Sequence, residues 1–402
     1  MSVHQPQTAP KPSPLRIAFV PEYFYPYTGG GENWFREIVS ALAKRGHDVV
    51  VFAFPMAGAP RRELIDGIPV TRVGFFKIES WQPYLKRIVS HLASFFRHPV
   101  YYRNSNVVVG QGSALLAVFP VLWASRTPMV CVVHDLYGLN QSIRDKGLIK
   151  GLARYFAVER ILNKMPFAAW IAVSESTKAK LRSLGVPASK IIIVRNGVNQ
   201  PPKSSQDPAD RKVILFLGRL VKHKHPEDFL NAISLVKTDI PWAAKIVGDG
   251  ELLPELRELA RELGLEDRVQ FTGKVSEEEK WRLLRSSICL VLPSTAEGWG
   301  VVLTEAAAAG TPSVTYDIPG TREQAEIVPS IRLVKPRDVR ALAAWIQKLV
   351  EDSELRKSLG KEGMKTAMRL TWDASAEQTE RLLKAIARSE SKSVCEYTAS
   401  TF

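Results

Sequence analysis

Cysteine is scarce in this 402-residue chain, which has three: Cys131, Cys289 and Cys395. An odd count without paired spacing excludes a disulfide scaffold and a cysteine-based zinc site. Cys131 and Cys289 lie inside apolar runs and are expected to be buried free thiols in a reducing compartment. Long hydrophobic runs are also missing. No stretch of about 18 uncharged apolar residues exists, and the longest candidate, Ala114 to Trp123, is soon followed by Arg126. A membrane-spanning helix is therefore not expected, and the protein should be soluble or peripheral. Residues 1–14, MSVHQPQTAPKPSP, lack the apolar core of a signal peptide and read as a disordered tail. No Asp-x-Asp motif occurs, so neither a metal-bridged site nor a cofactor is expected. Acidic charge is sparse in one half only. Residues 1–199 hold 25 Lys/Arg against 11 Asp/Glu, whereas residues 200–402 hold 30 of each. The whole net charge of +14 thus sits in the first half and points to an anionic partner there: a membrane surface, a phosphorylated acceptor or nucleic acid.

Against these absences, one stretch is dense in signals. The apolar run Ile288–Leu292 leads into STAEGWGVVLTEAAAAGTP, residues 294–312. A loop with Gly298 and Gly300 around Trp299 precedes an alanine-rich helix starting near Val301, and Gly310-Thr311-Pro312 stops it. Strand, glycine loop and helix build the ligand crevice of a parallel α/β sheet, and the helix start suits a phosphate. Two carboxylates stand eight residues apart. Glu297 is expected to point into the crevice. Glu305, in the second helical turn, is placed to accept hydrogen bonds from hydroxyls over the helix start, unless both are merely surface glutamates.

The first half repeats the theme. A buried strand, Leu15–Val20, runs into PEYFYPYTGGGEN, and a helix follows from about Glu32 to Arg45 with apolar positions 34, 35, 38, 39 and 42. The glycines Gly29, Gly30 and Gly31 let backbone approach a diphosphate. The dinucleotide fingerprint would need a third spaced glycine where Trp34 stands, so nicotinamide and flavin are disfavoured. Further buried strands are expected at 49–53, 67–73, 106–109, 129–133, 169–173 and 191–194. His134 closes one of them at its carboxyl end, on the crevice side, although a structural histidine capped by Asp135 reads equally from the sequence. Segment 81–103 interleaves aromatic and basic residues at helical spacing. It is either an ordinary core-facing helix or one resting on an anionic bilayer through Lys86, Arg87 and Arg97.

A polar, proline-rich linker at 200–210 separates the halves. Strand 213–217 then enters Gly218-Arg219-Leu220-Val221-Lys222-His223-Lys224-His225-Pro226, where Arg219 and Lys224 offer the fork and the point charge that suit a diphosphate. Strand 244–247 ends in the turn Gly248-Asp249-Gly250. The last periodic segment, 370–386, is an amphipathic helix.

These motifs, in this order over roughly residues 15–388, resemble the retaining glycosyltransferases of family 4. They include the E-x7-E pair, the triple-glycine opening, G-R-L with a following lysine, and the "NGV" at 196–198. The resemblance implies the GT-B fold: two doubly wound α/β domains, 15–199 for the acceptor and 211–370 for the nucleotide sugar. It also implies a helix, 371–388, crossing back to the first domain, and a tail at 389–402. It assigns Glu305 to the ribose, Glu297 and His134 to the transferred sugar, and Arg219 and Lys224 to the diphosphate. Gly29–Gly31, Gly218, Gly248, Gly250, Gly298, Trp299, Gly300, Val301 and Val302 are the expected donor-binding positions. The implied reaction moves a hexosyl group from a UDP- or GDP-sugar, without metal, to a lipid or lipid-linked acceptor on the cytoplasmic face of a membrane. A soluble acceptor or an epimerase of the same fold are the alternatives, and nucleic acid is not the expected partner. Two departures stand out. His225-Pro226 occupies the place of a customary glycine, and Ile318-Pro319-Gly320 replaces a customary double glycine.

Overall fold

A computed structural model describes residues 13–27, 29–56, 58–73, 104–112, 114–115, 126–136, 138–139, 142–143, 147–202 and 211–388. Eight strands form the first sheet: β1 (Arg16–Val20), β2 (Asp48–Ala53), β3 (Arg62–Ile65), β4 (Ile68–Arg72), β5 (Val107–Gln111), β6 (Met129–Val133), β7 (Ala169–Ala172) and β8 (Ile191–Ile193). Their spatial order is β3-β4-β2-β1-β5-β6-β7-β8, parallel except for the β3–β4 hairpin. Six more form the second: β9 (Val213–Leu217), β10 (Ala243–Val247), β11 (Val269–Gly273), β12 (Ser287–Leu292), β13 (Ser313–Tyr316) and β14 (Ile331–Val334). Here the order is β11-β10-β9-β12-β13-β14, all parallel. Chain order reverses direction at β1 in one sheet and at β9 in the other. Loops leaving the carboxyl ends of those two strands border the natural crevice of such sheets. They are the triple-glycine loop and the Arg219–Lys224 loop.

The strands are near-continuous apolar runs because helices cover both faces; β6 and β12 are buried at every residue. The helices are α1 (Gly30–Lys44), α2 (Leu148–Arg154) and α3 (Glu175–Ser183) with the first sheet. Those of the second are α4 (Pro226–Ser234), α5 (Leu253–Glu262), α6 (Glu277–Ser286), α7 (Val301–Ala308), α8 (Pro319–Ile327), α9 (Val339–Glu351) and α10 (Ser353–Ala367). Last comes α11 (Trp372–Ala387). Helix α1 buries Trp34, Phe35, Ile38, Val39 and Leu42, each worth about 1.5–3 kcal/mol when removed from water. It begins at Gly30, earlier than the sequence led us to expect, with Gly29 extended at its N-cap. The triple glycine therefore forms the helix's own first turn. Strand β3 was not anticipated, since its half-exposed residues give no apolar alternation. Segment 81–103, with Lys86, Arg87 and Arg97, lies outside the described residues, as do Cys395 and residues 1–12, 203–210 and 389–402. Cys131 and Cys289 are buried free thiols.

Helix α11 leaves the second sheet and docks on α1. Trp372, Ala376, Leu382, Leu383 and Ile386 join the first sheet's core. The crossing needs a close backbone approach. A Cβ on Gly197 would collide with the backbone of Thr371 and Trp372, and Val198 N–H donates to the Leu370 carbonyl at 2.8 Å. A polar latch borders the contact: Arg45 binds Asp373 at 2.7 Å and Glu380 at 2.9 Å, and His47 Nε2 lies 3.1 Å from Glu380 Oε1. Burial alone would raise the Glu380 pKa above 4.5, but Lys384, His47 and Arg45 more than reverse this and hold it at about 2. Because the folded value lies below the unfolded one, the ionised carboxylate stabilises the docked helix above about pH 4.5. That contribution is lost as pH falls toward 2. Glu380→Gln should therefore cost about 1.5–3 kcal/mol at pH 7 and progressively less in acid. Denaturation across that pH range checks this, and a variant whose deficit does not shrink on acidification contradicts it.

Candidate active site

On the first domain's side, the glycine loop and the end of β6 meet. A Cβ placed on Gly31 would lie 3.1 Å from the His134 ring, and one on Gly30 would lie 3.6 Å from Val301 of the other domain. His134 is wedged edge-on against Trp34 and Phe35, with ring centroids 5.7 and 6.0 Å away. Its burial pushes the imidazole pKa down to about 4, so the ring is neutral at pH 7. Its Nε2 has no hydrogen-bond partner among the described residues, and neither has Asp135 Oδ1 beside it. Glu32 is half-buried; desolvation raises its carboxyl pKa, while its own amide and the charge of Arg219 pull the other way. Arg219 of the second domain thus acts on the first domain's glycine helix.

On the second domain's side, two loops stack backbone on backbone. Gly218 N–H donates to Val247 at 3.0 Å and Leu220 N–H to Asp249 at 3.0 Å. Side chains at Gly248 and Gly250 would strike the carbonyls of Gly218 and Leu220. This close approach requires glycine at 248 and 250, whereas a Cβ on Gly218 would meet only ordinary contacts. Residues Lys222–Lys224 form a 3-10 turn, and His225 then takes a left-handed conformation at φ +47°. The family's customary glycine would adopt it freely; a side chain there costs about 1–2 kcal/mol. The strain is offset by partners: His225 Nδ1 meets Glu227 at 2.7 Å, and its Nε2 meets Thr295 Oγ1 at 3.1 Å. The left-handed turn at His225 is therefore accommodated by its own side-chain partners. His225, Glu227 and Asp228 also bring metal-ligand atom types within 4.8 Å of one another. Arg337 already supplies positive charge there, bonded to Asp228 at 2.7 Å, to Glu227 at 3.0 Å and to His225.

The organising loop is clamped between these walls. Glu297 is buried and accepts a hydrogen bond from Lys224 Nζ. Burial opposes its ionisation, but Lys224 outweighs this and the carboxyl stays below its ordinary range. A Cβ on Gly298 would collide with the carbonyl oxygen of His134, and one on Gly320 with that of Glu297. The one glycine retained at 318–320 is thus the one that backbone contact requires, while Pro319 sits in the first turn of α8, where its missing N–H does no harm. Trp299 is buried with its Nε1 unpartnered among the described residues. Gly300, at φ +69°, caps α7, whose first turn, opened by Val301 and Val302, carries no acidic side chain. Its leading amides lack helical acceptors and suit an anion.

Glu305 is 6% exposed, and Lys280 Nζ from α6 donates to its Oε1 at 2.7 Å. Nothing in the sequence pointed to Lys280 beyond a local pairing with Glu277. The structure thus brings Gly30, Gly31, His134, Arg219, Lys224, Glu297, Gly298 and Val301 together, and backbone contact also fixes Gly248 and Gly250 beside Gly218 and Leu220. Gly298→Ala should force the two domains apart at His134 and lower turnover by about a hundredfold or more, with little change in Tm. Rates near wild type would contradict this closed arrangement.

Two family models match in succession: Glycosyltransferase Family 4 over residues 28–200 and Glycosyl transferases group 1 over residues 199–366. An exopolysaccharide phosphotransferase of Streptomyces coelicolor is 33% identical over 53% of this chain but only 23% of its own length. A D-inositol 3-phosphate glycosyltransferase of Thermobispora bispora is 29% identical over 87% of this chain and 88% of its own. Among solved structures, sucrose-phosphate synthase from Thermosynechococcus elongatus superposes with a TM-score of 0.79 at 22% identity, covering 93% of this chain and all of that one. Anabaena HepE, crystallised with UDP and glucose, gives 0.71 at 19% identity, covering 92% of this chain and all of its own. Two consecutive domain matches and a shared two-sheet architecture agree that the chain is a family 4-type glycosyltransferase of the GT-B fold.

Proposed function

We propose that the chain moves a hexosyl group from a UDP- or GDP-sugar to an acceptor hydroxyl, with retention of configuration and without a metal ion. One observation carries the reading. The glycine helix, β6 and the α7 start converge on a part-buried Lys224–Glu297 pair, and on the flanking residues His134 and Trp299 the buried Nε2 and Nε1 atoms lack partners among the described residues. Buried polar groups without partners are rare, and a polyhydroxyl ligand would satisfy them. In the reaction, the bond from the anomeric carbon to the phosphate oxygen breaks and its electron pair leaves with the diphosphate. Arg219, Lys224 and the amides opening α7 stabilise that charge, and losing one such group typically costs 10²–10³ in rate. The acceptor oxygen bonds to the anomeric carbon on the same face, and its proton passes to a donor phosphate oxygen. Neutral His134 and ionised Glu297 orient the sugar hydroxyls, and Glu305 holds the ribose. HepE's complex with UDP and glucose supports a uridine donor. A relative named for D-inositol 3-phosphate supports a polyol or phosphorylated acceptor.

A lipid or lipid-linked acceptor at the cytoplasmic membrane face fits the basic first half. It also fits a run of exposed apolar side chains around α2: Leu148, Ile149, Phe156 and Ile161 are 63, 82, 54 and 50% exposed. Among the described residues no helix is long and apolar enough to cross a membrane, so such a surface would rest on the bilayer. Each nearby Lys or Arg adds roughly 1 kcal/mol on anionic lipid.

A thermal-shift screen of UDP-, GDP- and ADP-sugars tests the donor, since ligand at 100 times its Kd stabilises by about 2.7 kcal/mol. UDP or GDP compounds should raise Tm, Glu305→Ala should remove the shift, and Glu297→Ala should keep it while abolishing transfer. No shift with any nucleotide overturns the reading, and donor turnover without acceptor favours the epimerase. For the membrane surface, binding to anionic vesicles should fall with salt and with Leu148→Glu plus Ile149→Glu. Indifference to anionic vesicles at low salt would leave a soluble acceptor.

A further inference from the structure

Lys280 sits where a lysine is electrostatically least favoured. It is the fourth residue of α6, whose N-cap is Ser276, so the positive end of the helix dipole works against it. Its side chain is 11% exposed, yet it stays charged: burial would lower its pKa, and Glu305 and Glu277 reverse that. Its partner across the helices, Glu305, is equally hidden, at 8% side-chain exposure. Burial raises the Glu305 carboxyl pKa, and Lys280 counters it. Buried ion pairs between neighbouring helices add little to stability compared with apolar packing of the same volume, and the rest of α7 is small and apolar. The pairing is also one-sided: Lys280 Nζ bonds Oε1 of Glu305 at 2.7 Å and Glu277 at 2.8 Å. Oε2 is left out of the Lys280 bond.

We propose that Lys280 is a positioning residue of the nucleotide site: by binding Oε1 it fixes the Glu305 carboxylate between α6 and α7, so that Oε2 accepts from a ribose hydroxyl of a nucleoside diphosphate. The inference rests on the reading of Glu305 as the ribose contact. Without the lysine, the carboxyl loses the bond that orients it, and the preference for a hydroxylated ribose goes with it. Bonds to a charged group discriminate by about ten- to a hundredfold. Lys280→Arg keeps the charge and the bond, whereas Lys280→Met keeps only the stem.

The experiment measures binding of UDP and of 2′,3′-dideoxy-UDP, with the GDP pair in parallel, by calorimetry on the full-length protein. Wild type should prefer the ribonucleotide by at least about tenfold. Lys280→Met and Glu305→Gln should both bring that ratio close to one while leaving binding of the dideoxy compound nearly unchanged, and Lys280→Arg should restore most of it. A purely structural role would instead weaken both ligands alike. If Glu305→Gln collapses the ratio and Lys280→Met keeps it, this inference alone is overturned. If both variants keep the wild-type ratio, the assignment of Glu305 to the ribose falls with it.

Discussion

A buried ammonium held against a buried carboxylate governs this site. Lys224 and Glu297 have side chains only 15 and 9% exposed, and either charge alone would cost several kcal/mol in such surroundings. Each loop therefore needs the other. The Lys224 loop reaches its position because His225 accepts a left-handed backbone, braced by Glu227, Thr295 and Arg337. The Glu297 loop reaches its own because Gly298 and Gly320 leave no Cβ between touching backbones. The ion pair is thus held by packing it did not create.

The same constraint links the domains. The backbone of Gly298 lies on His134, and Gly30 faces Val301, so the chemistry assembles only when both sheets are present. Other contacts hold that arrangement from outside the site. Arg195 binds Glu323 at 3.0 Å, and the Ser176 amide at the start of α3 donates to the same carboxylate at 3.3 Å. Helix α11 ties the far end of the chain to α1. Between these tethers the site lies at the two points where strand order reverses, β1 and β9, which is where such sheets leave room for a ligand.

Much of this was legible from residue order. Parallel strands buried on both faces leave unbroken apolar runs, so β1, β5, β6, β9 and β12 announce themselves. Glycine loops and the Glu297–Glu305 spacing marked the crevice. What escaped was determined by distance in sequence. Lys280 meets Glu305 across 25 positions, and Arg337 meets Asp228 across 109; no local pattern encodes such pairs. The backbone contacts of Gly248 and Gly250 were equally hidden, because a glycine needed for backbone contact reads the same as one needed for a phosphate. The left-handed backbone of His225 was signalled only by the customary glycine it replaces, and the partners that brace it, Thr295 and Arg337, lie far off in sequence.

The central claim is that Lys224 and Glu297 act as a unit on the reacting sugar diphosphate. A double-mutant cycle in kcat/KM, using Lys224→Met, Glu297→Gln and the pair together, measures that directly. Residues in one ion-pair network couple by about 0.5–3 kcal/mol, whereas independent sites add within roughly 0.3–0.5 kcal/mol. The account predicts that the double variant is scarcely worse than the poorer single one, with a coupling of at least about 1.5 kcal/mol. Losses that simply add would show two independent residues and contradict it.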